Sequence, residues 1–299
     1  MPNRLKPNDK PIKPKRALVL SGGGVRGAYQ IGVLRKWMCD DNIDYDFLCG
    51  VSVGALNVFK LATVPYGMPQ QAYEVIESIW HNIQQESIFC DWVPFGKLTA
   101  LWKKSIYDAR PLAKLISSNY TPNLIKDSGK LLRLGAVCLN TGERKFVTEE
   151  YDNLDKWALA SASFPVFMEP VKIQGSLWID GGVKMVTPLG TAIRSGASDI
   201  DVILTSSPEK PKQWINSSKW AAVPDIAMRC IDLMSDRIML ADIRTTGLKN
   251  DLVIIRDRYR EINIRIIKPS VELTDDILKF NKADIQRMVK IGYHDACKE

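Results

Sequence analysis

The stretch Cys49-Gly50-Val51-Ser52-Val53-Gly54-Ala55-Leu56-Asn57 places a serine between two glycines at the spacing Gly-x-Ser-x-Gly. This is the sequence form of a nucleophile elbow, in which a strand ends, turns sharply and enters a helix with the serine at the tip. Glycines suit the flanks because strand and helix must approach without a Cβ between them, so that a substrate carbonyl can reach the hydroxyl. The chemistry on offer is attack by Ser52 on an acyl group and transfer through a covalent ester. A Gly-Ser-Gly cluster is also an ordinary turn, so the assignment depends on what the rest of the chain supplies.

One strand earlier, Arg16-Ala17-Leu18-Val19-Leu20-Ser21 leads into Gly22-Gly23-Gly24-Val25-Arg26-Gly27, after which Ile31, Leu34 and Met38 recur at helical spacing. The glycines therefore form a strand-to-helix loop whose N–H groups point beyond a helix N-terminus. The loop satisfies Gly-x-Gly-x-x-Gly, and Asp44 or Asp46 stands at about the distance of a ribose contact. Against a dinucleotide site, Asp46 precedes the apolar residues of its strand, where that fold carries the acid at the strand's end. No Gly-Lys-Ser/Thr follows, so a Walker loop is excluded. The alternative use is an oxyanion hole, with the amides of Gly22, Gly23 and Gly24 aimed at the alkoxide that acyl transfer creates beside a serine.

A serine nucleophile needs a base, and histidine is the usual one. The chain holds only His81 and His294. His81 lies off the apolar stripe Tyr73, Ile76, Trp80, Ile83 of a predicted helix over 67–86. His294 stands five residues from the end. The order Ser52, Asp180, His294 matches that of α/β-hydrolases, but nothing around His294 reads as a loop above a sheet edge. The other route is a dyad in which Asp180 takes the proton directly. An ordinary aspartate, with a pKa of about 3.9, is a feeble base for an alcohol unless burial raises it.

The elements that must position these groups follow from hydrophobic pattern. Ile43 to Cys49 and Ile200 to Thr205 read as buried strands, as does the run before the glycine loop. Lys130 to Cys138 and Lys145 to Val147 are strands joined in a hairpin at Asn140-Thr141-Gly142. Leu177-Trp178-Ile179 is a short strand entering Asp180-Gly181-Gly182. Helices are expected to begin within Ser105 to Leu112, with Pro111 near the first turn, and over 157–163, 190–196, 225–243 and 275–293, with a half-exposed strand at Ile262, Ile264 and Ile266. Phe89, Trp92, Val93, Phe95, Leu98, Leu101 and Trp102 with Lys103-Lys104 admit two readings, an interfacial lid or a satellite cluster packed over the sheet. Lys210 to Trp220 suits a loop that either touches a membrane or is ordinary surface.

With 45% hydrophobic and 25% charged residues the chain has the composition of a soluble globular protein. No apolar run is long enough to span a bilayer and no secretory leader is evident, so a cytoplasmic protein, peripheral at a membrane, is expected. The net charge of +7 invites a nucleic-acid partner, but +5 of it sits in residues 1–16 and leaves the body near neutral, so none is expected. Those residues carry Pro2, Pro7, Pro11 and Pro14 and form a flexible basic arm. It is a solvated tail or an electrostatic tether to an anionic membrane. Six cysteines show no Cys-x-x-Cys pair, so no zinc site is expected, and reduced, mostly buried thiols are.

Together, Gly22-Gly23-Gly24-Val25-Arg26-Gly27, Gly50-Val51-Ser52-Val53-Gly54 and Asp180-Gly181-Gly182 resemble the patatin-like phospholipase family. Weaker similarities are Tyr107-Asp108 with Pro111-Leu112, Ala160 to Pro165, and Pro188-Leu189. The resemblance covers roughly 17–205, with fainter similarity at Gly292-Tyr293, and assigns 17–299 to one patatin-like domain. It implies a three-layer α/β/α sandwich with a mostly parallel sheet. It also implies phospholipid or lysophospholipid acyl hydrolysis with Ser52 as nucleophile, Asp180 as base and the Gly22 to Gly24 backbone as oxyanion hole. Arg26 would hold the loop or bind an anionic group, Gly27 completes the motif, and by analogy with other elbows Val53 adds a donor. No metal or other cofactor is needed, and an unidentified activator is an open partner. In one departure, Val186 stands where the family often has asparagine, which puts a local hydrogen bond in doubt. A catalytically silent lipid-binding module that keeps the elbow is the alternative.

Overall fold

A computed structural model describes residues 16–93, 102–207, 229–244 and 262–299. Strand β1 (Arg16–Leu20) is apolar on both sides, and its alternate residues enter two separate cores. Leu18 and Leu20 pack beneath one helical layer, Ala17 and Val19 beneath the other. This is the pattern of a strand covered on both faces. The central strands are parallel: β1 pairs with β2 (Phe47–Val51) and β7 (Asp199–Ile203), β2 with β3 (Leu131–Cys138), and β7 with β8 (Asn263–Ile267). Strand β4 (Arg144–Val147) returns from β3 through the expected hairpin, with Gly142 at φ +70° in its turn. Strands β5 (Val171–Ile173) and β6 (Ser176–Asp180) are antiparallel, and β6 pairs with β3. Hydrogen-bonded neighbours run β5-β6-β3-β2-β1-β7-β8, with β4 also on β3. The architecture is the expected three-layer α/β/α sandwich.

The crossovers are α1 (Gly27–Leu34, extended by a wider turn through Asp40), α2 (Val53–Leu61), α3 (Pro69–Asn82), α4 (Arg110–Ser118), α5 (Pro122–Asp127) and α6 (Leu154–Ala162). Then follow α7 (Leu189–Arg194), α8 (229–244) and α9 (Lys282–Cys297). Helix α9 starts later than its periodicity suggests. Asn281 caps it by accepting from the Ala283 and Asp284 amides, and the residues before the cap stay non-helical.

Other expectations need correction. Arg16 belongs to β1 rather than to the basic arm: its amide donates to Asp46 at 3.0 Å and its guanidinium pairs with buried Asp201 at 2.9 Å. The rest of the arm lies outside the described residues, as do Phe95, Leu98, Leu101 and Lys210 to Trp220. Of the aromatic stretch, Ile88, Phe89 and Trp92 are buried, whereas Val93 and Trp102 are exposed. The six cysteines are unpaired, but Cys90, Cys230 and Cys297 are exposed rather than buried.

Helices α1 and α9 touch backbone to backbone. A Cβ at Gly32 would overlap the Val289 carbonyl oxygen, and one at Gly292 the Tyr29 carbonyl oxygen. Neither oxygen sits on a side chain that can swing away. G32A should therefore cost at least about 1–3 kcal/mol in denaturant unfolding. G190A, which meets only the mobile end of Arg194 within helix α7, should be neutral or slightly stabilising.

Candidate active site

The site is built where two strands meet end to end. Backbone amides of β3 alternate in direction: those of Leu131 and Leu139 donate to Asp46 and Leu177, whereas that of Cys138 donates to Glu143 in the hairpin. Strands β2 and β6 therefore occupy the same edge of β3 and run toward each other. Val51 lies opposite Gly135 and Asp180 opposite Ala136, the next residue along. The chain leaving β2 is Ser52, and it emerges beside the end of β6. Gly181 makes the junction possible, because a Cβ there would press on the Gly135 carbonyl and the Val51 side chain.

Ser52 caps α2 with φ +58° and ψ −131°, a conformation that non-glycine residues hold only under constraint, at roughly 1–3 kcal/mol. Its amide donates to Ser161 Oγ at 3.2 Å, and that hydroxyl donates to Gly135 O at 2.6 Å. Ser161 on α6 thus ties the elbow to the strand junction. Gly50 and Gly54 permit the turn: a Cβ on either would collide with backbone, at Gly54 and at Leu20 respectively.

Asp180 is 1% exposed. Its Oδ1 accepts from the Gly182 amide at 2.7 Å, and among the described residues Oδ2 has no hydrogen-bond partner. Burial pushes its pKa up to about 7, against the opposing pull of the Ser52 hydroxyl and the Gly182 amide. The carboxylate thus lacks strong partners and sits against the serine.

The glycine loop completes the constellation. A Cβ on Gly22 would lie 3.1 Å from Ser52 Cβ and 3.8 Å from Oγ. The Gly22 amide is already donated to Val186 O at 3.1 Å, and the Gly22 carbonyl accepts from the Thr205 hydroxyl. Among the described residues, the amides of Gly23, Gly24 and Val53 have no hydrogen-bond partner. Gly23 at φ +152° and Gly24 at φ +56° turn that backbone in a way side chains rarely allow. Val25 N, 2.9 Å from Ile277 O, anchors the far end of the loop.

A family model described as patatin-like phospholipase matches residues 18–193, more than half the chain and the span containing the glycine loop, the elbow and Asp180. The chain belongs to the patatin-like phospholipase family. Among its curated relatives, protein YjjU of Escherichia coli is 27% identical, over 71% of this chain and 57% of that protein. A cGAMP-activated phospholipase of Pseudomonas aeruginosa is 26% identical over 58% of this chain and 54% of its own. Calcium-independent phospholipase A2-gamma of Rattus norvegicus is 23% identical over 61% and 26%. The chain thus spans little more than half the length of two of these relatives and about a quarter of the third.

Within this patatin-like site Arg26 is buried. Its guanidinium pairs with Asp232 of α8 at 3.2 and 3.3 Å and donates to Thr274 O at 2.8 Å, so it holds the loop. Gly27 lets Val53 and Trp80 pack against the start of α1. His81 and His294 are both exposed, and neither lines the cavity that opens on Ser52. The carboxylates weighed for a ribose lie at the opposite end of the sheet from the glycine loop: Asp46 accepts from Arg16, and Asp44 pairs with buried Lys130 at 3.1 Å. Neither can contact a ribose held at that loop.

Three supporting contacts escape a sequence reading. Asp242 of α8 accepts from the Val186 and Thr187 amides at 3.1 and 3.0 Å, fixing the segment where asparagine is absent. Asp232, the partner of Arg26, is distant in sequence. Asn57 and Gln30, lone polar residues on apolar helical faces, link Trp80 through Asn57 Oδ1 to Gln30 and on to Ser21 O. Their position on apolar stripes was the available signal.

The cavity measures about 410 Å³, within the range of small-ligand sites. Ile76, Ile79, Trp80, Leu112 and Ile116 form an apolar wall on α3 and α4, and Met234, Ile238 and Met239 another on α8.

A raised carboxyl pKa has a sign in stability. Between pH 4 and 7 the native protein holds a proton on Asp180 that the unfolded chain has released, so stability falls as pH rises through that window, by about 1.4 kcal/mol per unit at most. D180N has no charge to desolvate. Urea unfolding should show D180N gaining on wild type from pH 4.5 to 8, by a few kcal/mol.

Proposed function

We propose that this chain is a lipid acyl hydrolase, a carboxylic ester hydrolase of phospholipase A or lysophospholipase type, working through a Ser52–Asp180 dyad. The observation that supports this most directly is the strained Ser52 beside a buried carboxylate with a pKa of about 7, at the wall of an apolar cavity. As Ser52 Oγ attacks the ester carbonyl, Asp180 takes its proton. The resulting alkoxide accepts hydrogen bonds from the free amides of Gly23, Gly24 and Val53, while Gly22 grants close approach. Collapse expels the alcohol, which receives the proton from Asp180, and leaves an acyl-serine. Water then attacks the acyl-serine with Asp180 again as base, the acyl–Oγ bond breaks, Asp180 returns the proton to Ser52 Oγ, and the fatty acid leaves. A pKa near the working pH serves both halves of this cycle.

The apolar walls accept an acyl chain, while the polar groups gather at Ser52. Proton transfer and charge stabilisation both come from the chain, so no step is routed through a metal; one relative is named calcium-independent. Val166, 62% exposed at φ +73°, lines the cavity at its rim. With exposed Val93 and Trp102, and with Lys103 stacked on Trp92, it offers a surface for peripheral lipid contact. Among the described residues no helix is long and apolar enough to cross a membrane. The cGAMP-activated relative gives a precedent for an activator, which is an open partner here.

Fatty-acid release from phospholipid vesicles tests this reading. S52A and D180N should each lower kcat by roughly a thousandfold or more. The wild-type kcat/KM should rise with pH through an inflection near 7, because the base works only when ionised. Vesicle binding without fatty-acid release would instead mark a silent lipid-binding module.

A further inference from the structure

Among the described residues, the cavity opening on Ser52 has apolar walls yet carries two cations, Arg26 and Lys60, and three carboxylates, Asp180, Asp232 and Asp236. Arg26 is paired with Asp232. Lys60 has no carboxylate partner among the described residues, and its ammonium donates only to Asn119 Oδ1 at 3.4 Å. Asn119 is fixed for that contact, since its Nδ2 donates to Leu115 O at 2.9 Å and leaves Oδ1 facing the lysine. Half-burial without a compensating charge lowers the Lys60 pKa. A cation placed against an apolar wall ordinarily comes with an anion.

Lys60 also stands in a fixed relation to the nucleophile. Ser52 caps α2, and the cavity-lining residues Val53, Leu56, Asn57 and Lys60 recur at the spacing of one helical face. Eight residues of helix put the Lys60 Cα roughly 12 Å along the axis from Ser52. The stem of a helical lysine leans back toward the N-terminus, which shortens that span. An ester held at Ser52 can thus extend an anionic group to the ammonium.

We propose that Lys60, presented by Asn119, is a subsite for an anionic oxygen group of the lipid, either a headgroup phosphate or a carboxylate at the far end of the acyl chain. It makes the site prefer anionic lipids over neutral glycerides of equal chain length. The assignment rests on the acyl-hydrolase reading of Ser52. The preference expected from one charge-assisted contact is about tenfold or more.

The test is calorimetric binding to S52A, S52A/K60M and S52A/K60R, below micelle formation. The probes are a short-chain lysophosphatidic acid, the monoacylglycerol of the same chain, and that monoacylglycerol bearing a terminal carboxylate. S52A should bind one of the two anionic probes about tenfold more tightly than the neutral one. K60M should remove that ratio and K60R keep most of it, and the favoured probe names the source of the anion. Ratios of kcat/KM for the same esters, in wild type and K60M, should move in parallel. A neutral probe bound as tightly as both anionic ones, or a ratio that survives K60M, overturns the subsite. Hydrolysis with ratios indifferent to Lys60 removes the subsite alone. Lys60-dependent binding without hydrolysis removes the hydrolase reading and leaves the subsite standing.

Discussion

Two strands running toward each other along one edge of β3 set the terms for everything else in this molecule. Strand β2 delivers Ser52 and β6 delivers Asp180 to adjacent positions, and the glycines at 135 and 181 keep the junction close enough to exclude water from the carboxylate. In the proposed dyad, burial is what makes the aspartate useful. In water it would ionise near pH 4 and hold protons weakly. Here, although the Gly182 amide and the Ser52 hydroxyl both pull the other way, burial pushes it up to about 7. The same burial that costs stability at neutral pH raises basicity.

The strained elbow and the glycine loop persist because the surroundings over-determine them. Ser161 clamps the Ser52 amide to β3. Val186 O takes the Gly22 amide, and Asp242 fixes Val186, so the segment after Asp180 and the glycine loop are held by one connected set of hydrogen bonds. Arg26 and Asp232 extend that set to α8, which also forms a cavity wall. Among the described residues the loop amides of Gly23 and Gly24 are left without a hydrogen-bond partner, as the proposed oxyanion hole requires.

Much of this was legible in the sequence, because it was local. Gly50-x-Ser52-x-Gly54 encodes its own turn, the apolar runs encode two-sided burial, and Asn140-Thr141-Gly142 encodes a hairpin. What was not legible depended on contacts across the chain. The meeting of β2 and β6 follows from register on β3, which no local pattern carries. Asp232 and Asp242 are ordinary acids on a helix until folding brings them to Arg26 and Val186. Residues 275–281 have the period of a helix, yet Ile277 must offer its carbonyl to Val25, and α9 waits for the Asn281 cap. Arg16 counts in the arm's charge and also opens the first strand by its pattern, and its contacts with Asp46 and Asp201 keep it in the strand.

In the proposed dyad a buried aspartate, with no histidine, activates Ser52. A pH inflection near 7 does not by itself decide this, since histidine ordinarily titrates at about 6.5. The chain has two histidines, both exposed, so removing them is a clean discriminator. The decisive measurement is the rate at which a fluorophosphonate labels Ser52, followed by intact-mass spectrometry from pH 5 to 9 in wild type, the H81A/H294A double variant and D180N. The account predicts equal rates and the same inflection near 7 in wild type and the double-histidine variant, with labelling of D180N lost. Loss of labelling in H81A/H294A, or its survival in D180N, would contradict it.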